Sequence, residues 1–159
     1  MQKIHPMLWF DNQAEEAANL YVSIFKNSKI TAIARWPEGN PNAGQVLTVN
    51  FQLDGVDFTA LNGGPIFKFT EAVSLVIDCD TQDDVDHYWD KLIEGGGEPS
   101  QCGWLKDKYG LSWQVVPKRL MQLLQDKDKG RAARAMEAMM KMSKIDIKTL
   151  EEAAEAGAA

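Results

Sequence analysis

Apolar and polar side chains alternate strongly over residues 45–53, whereas over residues 13–25 and 82–93 the apolar positions recur every three to four residues. The first period belongs to strands with one buried face, the second to helices lying on a surface. Residues 3–10 predict an extended stretch, with Asp11-Asn12 as a candidate helix cap. In the helix that follows, Ala17, Leu20, Tyr21, Ile24 and Phe25 form the apolar stripe opposite Glu15, Glu16 and Asn19. Residues 29–36 read as a strand and 37–44 as a loop rich in Pro, Gly and Asn. Asp54-Gly55 is a two-residue hairpin signal. A tight turn there sets Leu53 opposite Val56, Phe51 opposite Phe58 and Val49 opposite Ala60, six residues on one buried face. Thr48, Asn50, Gln52, Asp57 and Thr59 take the other face.

The pattern then starts again. A strand over residues 72–79 is followed by Asp80-Thr81 as cap, a helix over 82–93 and a stop at Gly95-Gly96-Gly97. Ile4-His5-Pro6-Met7-Leu8 lies over Val73-Ser74-Leu75-Val76-Ile77, and the helical stripe of the first copy lies over Val85, Tyr88, Trp89, Leu92 and Ile93. Gly55-Val56-Asp57-Phe58-Thr59-Ala60 likewise lies over Gly110-Leu111-Ser112-Trp113-Gln114-Val115. The expected fold class is therefore α+β, two βαβββ modules at about 3–64 and 72–117 forming a curved sheet cup. Paired modules thus occupy residues 1–120, and a C-terminal helical extension takes 121–159, broken near 126–130 and at Ser143. In that extension Met136, Met139 and Met140 fall at helical spacing and read as packing against the sheet or a second subunit, with a methionine-rich ligand groove as the alternative.

Composition narrows the function. A length of 159 residues with 45% apolar side chains suits a packed globule. The net charge of -6 removes the basic footprint that phosphate backbones require, so no nucleic-acid partner is expected. No apolar run is long enough to span a bilayer, and the amino-terminal residues turn charged by Asp11, so no membrane partner and a cytoplasmic location are expected. Two cysteines, Cys79 and Cys102, make neither a disulfide framework nor a zinc cluster and read as small apolar filling.

The doubled pattern, with FTALNGGPIFKF at 58–69 and CGWLKDKYGLSWQVVP at 102–117, resembles the vicinal oxygen chelate (glyoxalase/bleomycin resistance/dioxygenase) superfamily. Within it the likeness is to the PhnB-like group, often labelled 3-demethylubiquinone-9 3-methyltransferase, and KIDIKTLEEA at 144–153 looks like that group's C-terminal helix. A methyltransferase using S-adenosylmethionine normally presents a Gly-rich turn between its first strand and helix. His5 to Gln13 contains no glycine.

The resemblance implies metal ligands at four strand positions facing into the cup. His5 falls where the superfamily has its first-strand histidine, and Gln114 where it has its last-strand glutamate. The internal repeat maps His5 onto Ser74 and Gln114 onto Thr59, so the quartet here is His5, Thr59, Ser74 and Gln114. A catalytic divalent metal generally needs three strong ligands from imidazole, carboxylate and thiolate, and this set holds one. Asp57 is displaced by one side-chain position, about 7 Å along a strand. The cofactor is accordingly unknown, and no divalent metal is expected.

Within the cup His5 is the side chain able to titrate near neutral pH, a candidate catalytic base that also reads as a plain structural hydrogen-bonder. Trp9 should share its face, Trp36 stands at the rim, and Asn50, Thr59, Ser74 and Gln114 are the candidate substrate-binding groups. Three functions fit: an enzyme acting on a small molecule without a tightly bound metal, a non-catalytic module that sequesters an aromatic or amphipathic compound, or a structural or interaction protein, which the helical C-terminal extension keeps open. The resemblance further implies a homodimer.

Overall fold

The structure, a computed structural model, describes residues 2–157; Met1 and the last two residues of the alanine-rich tail lie outside it. The described chain forms two compact units, one ending at Phe69 and the other beginning at Thr70.

In the first unit, β1 (Met7–Phe10), α1 (Ala14–Ile24), β2 (Lys29–Arg35), β3 (Val46–Leu53) and β4 (Val56–Asn62) form a sheet of order β1-β4-β3-β2, with α1 packed on one face. β1 runs parallel to β4, and the other neighbours are antiparallel. The hairpin register is the one its turn predicts: Leu53 opposite Val56, Phe51 opposite Phe58, Val49 opposite Ala60. Asp54 and Gly55 both take positive φ, 48° and 78°, which matches the twist of the flanking strands. Five of the six expected residues are buried; Val56, at the hairpin tip, is 46% exposed. Ala14, Ala17 and Ala18 are fully buried and bring α1 close to the sheet, where Tyr21 lies tilted against Phe51 and Phe51 stacks on Phe58. Each fully buried large side chain contributes about 1.5–3 kcal/mol.

Two local expectations are corrected. The first strand begins at Met7 rather than residue 3, because Pro6 has no N–H to give the ladder; only its carbonyl takes part, accepting from Thr59 N–H at 3.1 Å. The cap of α1 comes from neither Asp11 nor Asn12: residue Gln13 stands at the N-cap without a side-chain bond, and the Asn62 side chain on β4 accepts the Ala14 N–H at 2.8 Å. A tertiary contact here replaces the local cap. Edge strand β2 is exposed along nearly its whole length, with two register irregularities that discourage further pairing.

The second unit repeats the plan with β5 (Ser74–Cys79), α2 (Gln82–Ile93), β6 (Glu98–Pro99), β7 (Trp104–Lys106) and β8 (Ser112–Pro117), in the order β5-β8-β7-β6. Thr81 closes a full capping box with Asp84, as the sequence leads one to expect. Val85, Trp89 and Leu92 of α2 are buried, as are Ile77, Leu105, Trp113 and Val115. The repeat extends to register. Met7 pairs with Thr59 and Leu8 with Ala60 in the first unit, while Val76 pairs with Gln114 and Ile77 with Val115 in the second.

Helices α3 (Lys118–Leu124), α4 (Lys129–Met140) and α5 (Ile147–Glu155) build a core of Leu120, Leu123, Ala135, Ile145, Leu150 and Ala154. Met139 packs against this core, and Met136 and Met140 are exposed on the described chain. The segment before α5 is bound to the second sheet's unit: Met142 and Ser143 carbonyls accept from Cys102 and Gly103 N–H, and the Gln82 amide bridges Ile145 O and Ile147 N.

Candidate functional site

On the face of the first sheet turned away from α1, the strand alternation that buries Phe58 and Ala60 sets Thr59 beside Asn50 on β3. His5, just ahead of β1, reaches the same point. Its Nε2 lies 3.0 Å from Thr59 Oγ1, and Thr59 Oγ1 donates to Asn50 Oδ1 at 2.9 Å. With the single hydroxyl proton committed to Asn50, Thr59 accepts from His5, which places a proton on Nε2 and leaves Nδ1 as the free lone pair of the neutral ring. Thr59 is 5% exposed, whereas His5 and Asn50 are open to solvent. The middle of this chain is buried and both its ends are accessible.

His5, Asn50 and Thr59 line one recess of about 250 Å³, together with Gln2, Thr31 and Asp57. Asp57 Oδ1 accepts from Gln52 Nε2 at 2.7 Å, and Asp57 N–H donates to Gln2 Oε1 at 3.2 Å. Alternation along β4 puts Asp57 on this face. Gln2 precedes any regular element, and Thr31 sits at a β2 irregularity that breaks simple alternation, so neither is readable from sequence.

The remaining candidates lie elsewhere. Ser74 and Gln114, in the second unit, bond to one another, Gln114 Nε2 donating to Ser74 Oγ at 3.0 Å. Trp9 lines neither this recess nor the larger pocket of its unit. Its indole N–H is committed to Gly64 O at 2.9 Å, its ring meets Phe67 edge-on, and Gly63 lies so close to the ring that a Cβ there would fall 2.3 Å from it. Trp9 therefore braces the chain after β4. Trp36 lines a different pocket, at the far end of the sheet.

The donor chemistry does not fit a catalytic divalent metal. The recess offers one imidazole and one carboxylate already held by Gln52, Ser74 and Gln114 are neutral, and among the described residues no group of three or more His, Cys, Asp and Glu side chains converges. Nor do the residues fit S-adenosylmethionine held as in a doubly wound fold, because the β1–α1 turn, Asp11-Asn12-Gln13, has no glycine and the first N–H of α1 is taken by Asn62. Elsewhere, burial and the carboxylates of Asp84, Asp78 and Asp80 push the Cys79 thiol up to about 12, which keeps it protonated.

Two βαβββ units with this strand order define the glyoxalase/bleomycin resistance fold of the vicinal oxygen chelate superfamily. Residues 2–116 match the family model described as 3-demethylubiquinone-9 3-methyltransferase, and the chain belongs to that PhnB-like family. It is 36% identical to a PhnB protein from Bacillus cereus described by the same activity, with a TM-score of 0.67 over 73% of this chain and 99% of that one. Protein PA1353 from Pseudomonas aeruginosa shares the fold at 17% identity and TM-score 0.62, covering 74% of this chain and 98% of the other. The fosfomycin resistance protein FosX from Listeria monocytogenes, complexed with Mn(II) and sulfate, shares it at 15% identity and TM-score 0.53, over 79% of this chain and 98% of that one. No curated protein matches the chain. The family match ends at residue 116, so α3, α4 and α5 lie beyond it. No helix among the described residues is long and apolar enough to cross a membrane.

Proposed function

We propose that the chain is an enzyme acting on a small molecule by proton transfer at His5, without a tightly bound divalent metal. One observation carries the reading: the hydrogen-bond chain His5–Thr59–Asn50, which holds the exposed ring at Nε2 and leaves Nδ1 outside that chain. Thr59 positions the base, as a buried orienting group does in other acid–base sites. The recess is small beside the usual ~300–1,000 Å³ of ligand sites, so it takes the reacting end of a substrate rather than the whole. Gln114 and Ser74 are a second polar pair available to orient substrate.

A compound panel screened by ligand-detected NMR and then assayed for turnover tests this. His5→Ala should lower kcat/KM about 10²–10⁴-fold. Turnover indifferent to His5→Ala defeats the proposal. The exposure of His5 and Asn50 favours one competing reading, a module that binds an aromatic or amphipathic molecule without converting it. On that reading a ligand binds, nothing turns over, and His5→Ala leaves affinity unchanged. A cytoplasmic homodimer is part of the proposal, supported by the exposed Ile66, Phe67, Val73 and Val76; light scattering that reports a monomer removes the dimer.

A further inference from the structure

The larger pocket of the first unit, about 500 Å³, lies where β1 ends, α1 begins and β4 ends. Thr59 and Asn62 are three positions apart on β4, so this pocket is separated from the His5 recess by about 10 Å along the strand. Its volume falls in the range of small-molecule sites. We propose that it binds a small organic cation, an amine or quaternary ammonium, between the Trp36 ring and the carboxylates of Asp11 and Glu15.

Charge points to a cation. Asp11 and Glu15 are both on the lining, no Lys, Arg or His is, and neither carboxylate has a hydrogen-bond or ion-pair partner among the described residues. The start of α1 normally attracts anions through its free N–H groups. Here the Ala14 N–H is spent on Asn62 Oδ1, and the Asn62 amide is in turn tied to Val46 O at 3.1 Å. Two full negative charges outweigh the partial positive charge left at the helix end.

An aromatic wall completes the match. Trp36 is half-buried, and its backbone is held on both sides, Trp36 N–H to Gln45 O and Gly44 N–H to Trp36 O, each at 2.9 Å. A cation over an indole face is stabilised by the ring quadrupole, more so as water is excluded. Asn42 and Gln45 supply neutral hydrogen-bonding groups for a ligand's hydroxyl or carbonyl. The opposite wall is rigid: Gly63 N–H bonds Phe10 O at 2.9 Å, Gly64 N–H bonds Asp11 O at 3.1 Å, and Gly63 is pressed against Trp9. Trp9 thereby acts as the brace of this pocket. The site is independent of the proposed chemistry at His5.

Calorimetric titration of the full chain with choline chloride, and separately with its neutral isostere 3,3-dimethyl-1-butanol, tests the proposal. Choline should bind saturably and weaken as salt is raised. Trp36→Ala and the double variant Asp11→Asn/Glu15→Gln should each weaken it about tenfold or more, with Trp36→Phe intermediate. His5→Ala should leave choline binding unchanged, and circular dichroism reports whether each variant is folded. No saturable binding of choline by the parent chain overturns the proposal. So does equal binding of the neutral isostere, retention of full affinity in the folded Trp36→Ala or Asp11→Asn/Glu15→Gln variant, or loss of affinity in His5→Ala.

Discussion

In the first unit Thr59, in register with Met7, meets His5 Nε2 at 3.0 Å; in the second, Gln114, in register with Val76, meets Ser74 Oγ at the same distance. The strand pair and the reach across it are the same, yet the chemistry differs. The first pair contains a titratable ring and continues to Asn50, the β3 neighbour of Thr59. The second pair closes on itself, and the β7 neighbour of Gln114 is Trp104. A further step along each sheet, Gln52 and Asp57 bond in the first unit, whereas the equivalent Lys106 pairs with Glu71 and the buried Ser112 hydroxyl has no hydrogen-bond partner among the described residues. A duplicated backbone therefore fixes where polar side chains meet, and residue choice alone decides whether the meeting point can move a proton.

The two units also differ in how the final hairpin turns. The first uses Asp54-Gly55 at positive φ; the second uses a longer turn held by Asp107, whose carboxylate accepts from Tyr109 N–H, Leu111 N–H and Trp113 Nε1–H while only 3% exposed. Removing it as Asp107→Ala takes the shared acceptor from three donors, two of them buried, and should cost about 3–5 kcal/mol, read by urea unfolding. Asp54→Ala should cost only about 1–2 kcal/mol, the strain of alanine at positive φ. Similar losses at the two sites would break the contrast.

A smaller effect separates the two polar pairs. Thr59→Val buries no hydroxyl to serve His5 and Asn50 and should cost about 1 kcal/mol, because both partners can turn to water. The same change should release His5 from its Nε2-protonated form, seen as a shift in the imidazole ¹⁵N resonances. Gln114→Met should leave those resonances unmoved. A response of His5 to the second substitution and not to the first would reverse the assignment of Thr59 as the group that orients the ring.

The smallest effect at neutral pH concerns Cys79. Its folded value lies near 12 and its ordinary value near 9, so below pH 9 the thiol is protonated in both states and its contribution is constant. Above pH 9 the unfolded chain loses the proton first, and stability should fall by up to about 1.4 kcal/mol per pH unit until the folded thiol titrates. Unfolding titrations with Cys79→Ala, which lacks this slope, isolate it. A thiol reagent should reach the half-buried Cys102 before the fully buried Cys79.

Periodicity along the chain was enough for the two βαβββ copies, the β3–β4 register and the face that carries Asn50, Asp57 and Thr59, because strand alternation and a two-residue turn are local constraints with one solution. The internal repeat was enough to pair His5's position with Ser74 and Thr59's with Gln114. Nothing local predicts that Asn62 caps α1, that Trp9 lies under residues 63–67, or that Trp36 and His5 serve separate pockets at opposite ends of one sheet. Asn62 stands 48 positions from Ala14 and Gly64 stands 55 from Trp9, so these contacts join residues remote in sequence. Their sequence neighbours carry no trace of it, so only tertiary packing could decide them.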